Sequence, residues 1–180
     1  QDGTRWWTWG TPNPADRPYT SHAHESCVAA GDVDGDARLE IAVADGRKVY
    51  LLDGLTGGVR AEAEMPEDNF YIVQVLGEPV APGEAAVVVK NGEGGYGPWR
   101  YGEPLLALDA QLKPVWGPVA IPGAGHHILA LDLDGEKGNE FLVGYCAVKP
   151  SGKIAWTVDA IDPAKLDAGK EHVDYTDVRR

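Results

Sequence analysis

Two nine-residue acidic stretches, one hundred positions apart, constrain this chain more than any other feature in it. Asp32-Val33-Asp34-Gly35-Asp36-Ala37-Arg38-Leu39-Glu40 and Asp132-Leu133-Asp134-Gly135-Glu136-Lys137-Gly138-Asn139-Glu140 share one register, with acidic side chains at their first, third, fifth and last positions. Each follows a short apolar approach (27–30 and 128–131) and precedes a second apolar run (41–44 and 141–144). Strand pattern, charged turn and strand pattern make a hairpin, and its recurrence makes a repeat. In the first unit residues 48–52 and 59–62 read as further strands; in the last, 153–158 close the pattern.

A degenerate unit lies between these two. Residues 70–75 alternate as a strand does, 77–83 stand in place of the acidic loop, and 85–89 and 105–108 read as its next strands. A fourth unit begins where His172 to Asp177 align with His127 to Asp132, an offset of 45. Units of about 45 residues carrying four short strands predict an all-β chain, a β-propeller. The expected order is an N-terminal aromatic segment (1–20), three four-stranded blades (about 21–65, 66–117 and 118–160) and the start of another (171–180), within a larger propeller. Turn-forming glycine (23) and proline (13) suit that plan and not a helical bundle. Helix signals are confined to residues 163–170.

Acidic residues outnumber basic ones 28 to 16, for a formal charge of −12. Nucleic acid is excluded as a partner, because phosphate binding needs a basic surface. No apolar run approaches the roughly 20 residues of a membrane-spanning helix. No nucleotide-binding glycine loop or serine nucleophile is present, since both need a strand-to-helix turn. Cys27 and Cys146 fall in non-neighbouring units, so a mutual disulfide is not expected.

Carboxylates at alternate positions repel unless a cation neutralises them. Calcium takes six to eight oxygen ligands. Asp32, Asp34, Asp36 and Glu40 would supply side chains to it, with the Arg38 carbonyl. Asp132, Asp134, Glu136 and Glu140 would do the same, with the Gly138 carbonyl. An EF-hand is excluded by spacing, because its twelfth position would be Val43 or Val143. The alternative is a solvated acidic turn without metal. Such a calcium ion staples two strands and stabilises; it does not catalyse.

The two acidic loops with their flanking strands resemble FG-GAP/VCBS-type calcium-binding propeller repeats, over most of residues 21–177. Residues 125–135, Ile154-Ala155-Trp156 and 172–177 are similar to blades of secreted propeller polysaccharide lyases of the rhamnogalacturonan-lyase kind. The resemblance implies a secreted, extracellular or periplasmic protein. Its partner would be a polysaccharide, or another protein chain that completes the propeller.

Antiparallel blades put strand-one entries and second-to-third-strand loops on one face, opposite the acidic loops. His24, His126, His127 and His172 lie at or near such entries. The glycine-rich loop 91–104 shares that face, with Tyr96, Trp99 and Tyr101 as flat surfaces for sugars and Arg100 as a carboxylate clamp. An ordinary packed loop is the alternative. Adjacent strand residues point to opposite faces, which argues against zinc at His126 and His127. A lyase would use His126 or His127 as base, His172 as helper and Arg100 on the uronate. A non-catalytic binding or assembly module is the competing reading. Trp6, Trp7 and Trp9 read as the apolar plug of a blade edge in preference to a sugar platform.

Overall fold

β-branched and aromatic runs form the strands, and turns rich in glycine and aspartate join them. The computed structural model describes residues 3–9, 27–67, 70–76, 84–91, 103–121, 127–136, 138–144 and 146–157. Its first four strands are β1 (Val28–Gly31), β2 (Glu40–Asp45), β3 (Lys48–Asp53) and β4 (Val59–Glu64). Next come β5 (Phe70–Val75), β6 (Val87–Asn91), β7 (Glu103–Leu108) and β8 (Pro114–Ile121). The last are β9 (Ile128–Leu131), β10 (Glu140–Val143), β11 (Cys146–Val148) and β12 (Ile154–Thr157). They form three four-stranded antiparallel sheets, each a meander in chain order. No helix occurs among the described residues. The expected all-β arc of three propeller blades is therefore present.

Register repeats from blade to blade. Gly31 faces Glu40 and Leu131 faces Glu140, so both acidic loops leave their sheets at the same place. Each third-to-fourth strand pair slips by one residue beside its outer turn, leaving Arg60, Val115 and Ala155 as the extra residue of a bulge, and the β7–β8 pair shifts again between Leu105 and Ala107. Each blade also closes its outer hairpin alike. The amides of Gly57, Leu112 and Gly152 donate to the carbonyls of Asp53, Asp109 and Lys149 at 2.8, 2.9 and 2.8 Å. Those three turn residues share a left-handed backbone, with φ of 71°, 57° and 81°.

The core lies in two apolar layers between blades. Ala42, Leu51, Val87, Val89 and Leu108 belong to the layer between blades one and two. Val88, Ala107, Phe141, Val143 and Val148 belong to the layer between blades two and three. β6 is buried along its whole length, as a middle blade requires.

Two strands were not foreseen from the sequence. β8 runs through residues 117–118, where the sequence reading divides two units, and β11 has only three residues. Both cysteines are free thiols. Burial pushes the Cys146 thiol up to about 11, which leaves it un-ionised and unreactive near neutral pH. Residues 77–83, the helix expected at 163–170 and the unit begun at 171–180 lie outside the described residues.

Candidate metal centres

A turn that draws carboxylates together must hold them against their mutual repulsion, and here the backbone does so. The Gly35 amide donates to Asp32 Oδ1 at 2.6 Å, and the Gly135 amide donates to Asp132 Oδ1 at the same distance. The Asp36 and Glu136 amides donate to Asp34 and Asp134 Oδ1 at 3.3 and 3.0 Å. The buried carboxylates of Glu40 and Glu140 accept the Val33 and Leu133 amides at 3.1 and 2.9 Å. The same lattice of bonds is thus built twice.

The outcome is two clusters, Asp32/Asp34/Glu40 and Asp132/Asp134/Glu140, each with carboxylate oxygens within 4.8 Å of one another. The remaining expected ligands are not drawn in as closely. Asp36 accepts the Arg38 amide at 2.8 Å, and Glu136 is exposed.

Two cations missed in the sequence complete the sites. The Arg60 guanidinium donates to Glu40 Oε1 and, at 2.6 Å, to Asp34 Oδ2. Its hydrogen bond with Asp34 holds the guanidinium above its usual pKa. Lys149 Nζ reaches Asp134 Oδ2 at 3.2 Å, and the hydrogen bond likewise raises its pKa. Burial pushes the Glu40 carboxyl up, against the amide of Val33 and the charge of Arg60. Asp134 is held below the ordinary carboxylate value, first by the Glu136 amide and then by Lys149. Three carboxylates and one cation leave each cluster with a formal charge of about −2, which one divalent ion would neutralise. Carboxylate oxygens are donors for a hard cation.

Of the other candidates, the described residues include His127 alone. His127 is exposed just before β9. Lys90 and Asn91, at the root of the aromatic loop, are buried; Lys90 Nζ donates to Asn91 O at 2.7 Å, and Asn91 Nδ2 to Glu67 Oε1 at 3.0 Å. This buried polar chain was not read from the sequence, although a lysine ending an unbroken valine run was visible there. His24, Tyr96, Trp99, Arg100, Tyr101, His126 and His172 lie outside the described residues.

The N-terminal tryptophans divide. Trp9 packs against Tyr50 with the rings tilted by 58° and their centroids 4.8 Å apart, and Trp7 Nε1 donates to Gly54 O at 3.1 Å. Trp6 remains 78% exposed. Trp7 and Trp9 therefore act as the plug on blade one.

No protein family and no curated protein matches the chain. Among solved structures, its fold is similar to that of rhamnogalacturonan lyase YesW (16% identity, TM-score 0.52). It is also similar to the exotype rhamnogalacturonan lyase YesX (18% identity, TM-score 0.51). Each likeness covers 75% of this chain but only 31% and 30% of the respective lyase, so the chain spans about a third of their length. At this identity the likeness is one of fold.

Proposed function

We propose that this chain is part of an extracellular, calcium-stabilised β-propeller of a carbohydrate-active protein, built from FG-GAP/VCBS-type repeats. The duplicated three-carboxylate cluster carries the reading, because the same ligand geometry stands at the same blade position twice. Asp32, Asp34 and Glu40 would hold one calcium ion, and Asp132, Asp134 and Glu140 the other. Asp36, Glu136 and the Arg38 and Gly138 carbonyls complete them. The ion supplies charge neutralisation and ties the first two strands of a blade. Its contribution grows as RT ln(1 + [L]/Kd), which favours a calcium-rich extracellular setting.

The finer reading is a polysaccharide lyase acting on uronate-containing glycans, supported by the fold likeness to two rhamnogalacturonan lyases. In β-elimination a base takes the proton α to the carboxylate. The electron pair forms the 4,5 double bond, and the C4–O bond breaks to release the 4-linked sugar, which takes up a proton. His126 or His127 would be the base, His172 a helper and Arg100 the carboxylate clamp, with Tyr96, Trp99 and Tyr101 stacking on sugar rings. The second reading, a non-catalytic module for carbohydrate or protein assembly, is favoured by the exposed apolar face of blade three.

Titration calorimetry on chelator-stripped protein should show two calcium ions bound. Incubation with rhamnogalacturonan or polygalacturonate should generate a product absorbing in the near ultraviolet. Loss of the base in His126→Ala or His127→Ala should slow it by about 10²-fold or more. Absence of calcium uptake overturns the metal assignment. Sugar binding without turnover selects the module.

A further inference from the structure

We propose that the outer face of blade three is a docking face for one further propeller blade, and that Trp156 selects a partner with glycine in its outer turn. The inference deepens the reading of the chain as part of a larger propeller and identifies the contact.

Each blade shows one cross-strand row to its successor. In blade one the row is Ala29, Ala42, Leu51 and Ala61, packed in the layer shared with blade two. In blade two it is Gln74, Val88, Ala107 and Trp116, packed towards blade three. In blade three the equivalent row is Leu129, Leu142, Ala147 and Trp156. The central Ala147 is buried, as Ala107 is in blade two, but the ends of the row differ: Leu129 is 57% and Trp156 49% exposed, whereas their blade-two equivalents Gln74 and Trp116 are half-buried.

The last residue of each row meets the outer turn of the next blade, and the two match in size. Trp116 Nε1 donates to Pro150 O at 2.7 Å, and a methyl group placed on Gly152 would lie 2.7 Å from the indole. Trp7 meets the blade-one turn in the same manner. Its Nε1 donates to Gly54 O at 3.1 Å, and a methyl on Gly57 would lie 2.6 Å from its ring. Gly54 and Pro150 are equivalent turn positions, as are Gly57 and Gly152. Where the row ends in a small residue, Ala61, the turn of the next blade carries Leu112 instead, and both belong to one layer. Tryptophan is therefore paired with glycine, and alanine with leucine.

Trp156 stands where Trp116 stands, so its partner turn needs glycine at the left-handed position and a carbonyl to accept the indole N–H. Within the described residues, Gly57 is covered by Trp7 and Gly152 by Trp116. Among the described residues, an unaltered second copy offers no open glycine in an outer turn. The occupant is therefore another blade, lying outside residues 3–157.

Two full-length variants test this in excess calcium, with Trp156 read as the difference in acrylamide quenching from Trp156→Phe. In the first, the chain is extended after Arg180 by a copy of residues 136–157. The addition continues the repeat expected from the sequence at His172 and supplies a second copy of the Gly152 turn. Quenching of Trp156 should at least halve, and valine at the added glycine should restore it. In the second, Trp7→Ala/Trp9→Ala uncovers Gly57, so copies should associate head to tail in sedimentation velocity, and adding Trp156→Ala should return the monomer. Shielding of Trp156 in either variant upholds the proposal. Undiminished quenching in both overturns it. Calcium uptake and uronyl product formation by the parent chain judge the functional reading separately.

Discussion

Arg60 decides how the first acidic loop behaves, because it bonds two of the three carboxylates that a cation would use. Calcium would compete with the guanidinium for the same oxygens. Arg60→Gln should therefore lower the melting temperature of chelator-treated protein and enlarge the increase on adding calcium, measured by calorimetry. Asp34→Ala should halve the calcium stoichiometry and leave the second site intact, since Asp134 lies in another blade. Calcium at site one also competes with the proton that burial favours on Glu40. Away from the metal, Asp53 Oδ1 accepts the Leu55 and Thr56 amides and the Thr56 hydroxyl at 3.1, 2.8 and 2.8 Å. These bonds, the Thr56 hydroxyl first, hold its carboxyl below the ordinary 3.8. A lowered pKa adds stability that is full above the unfolded value and is lost as pH falls through the folded one. The melting gap between parent and Asp53→Asn should thus be constant at neutral pH and close below about pH 3.8. A gap that widens in acid would refute the assignment.

At the scale of elements, the outer turn and its tryptophan form the recurrent joint. Trp116 also packs on Phe141, with ring centroids 6.3 Å apart, so it ties β8 to blade three. Trp116→Ala should cost about 3 kcal/mol in urea unfolding, the usual scale for loss of a large packed aromatic. Gly152→Val should be similarly damaging, since the added side chain meets the indole and the backbone φ of 81° disfavours it. Wild-type stability in both would remove the joint from the account. Strand four also shows why β8 escaped notice. Pro114, Gly117 and Pro118 argue against a strand, yet an outermost strand tolerates proline because one of its edges needs no hydrogen-bonding partner. β11 was too short to alternate visibly, and its three residues are all buried.

For the whole molecule, two apolar layers hold the blades together, and calcium at the two acidic clusters would add to their stability. If both clusters take calcium at about 100 times Kd, each contributes about 2.7 kcal/mol. Removing the metal should then lower the melting temperature by roughly 10–20 °C for a chain of this size, read by circular dichroism. An unchanged transition would mean that the clusters are acidic turns neutralised by Arg60 and Lys149 alone. The repeat, the blade architecture and the three carboxylates gathered at each acidic loop were legible in the sequence, whereas the expected Asp36 and Glu136 do not join those clusters. Alternation along a strand and the spacing of a turn are local, so a few adjacent residues specify them. The counter-ions and the tryptophan joints were decided only by tertiary structure. Arg60 stands 20 residues from Glu40, Lys149 15 from Asp134, Trp116 34 from Pro150 and Trp7 47 from Gly54. Those meetings depend on bulge position, strand register and blade-on-blade packing, and a two-residue period is the same whichever neighbour the sheet comes to face.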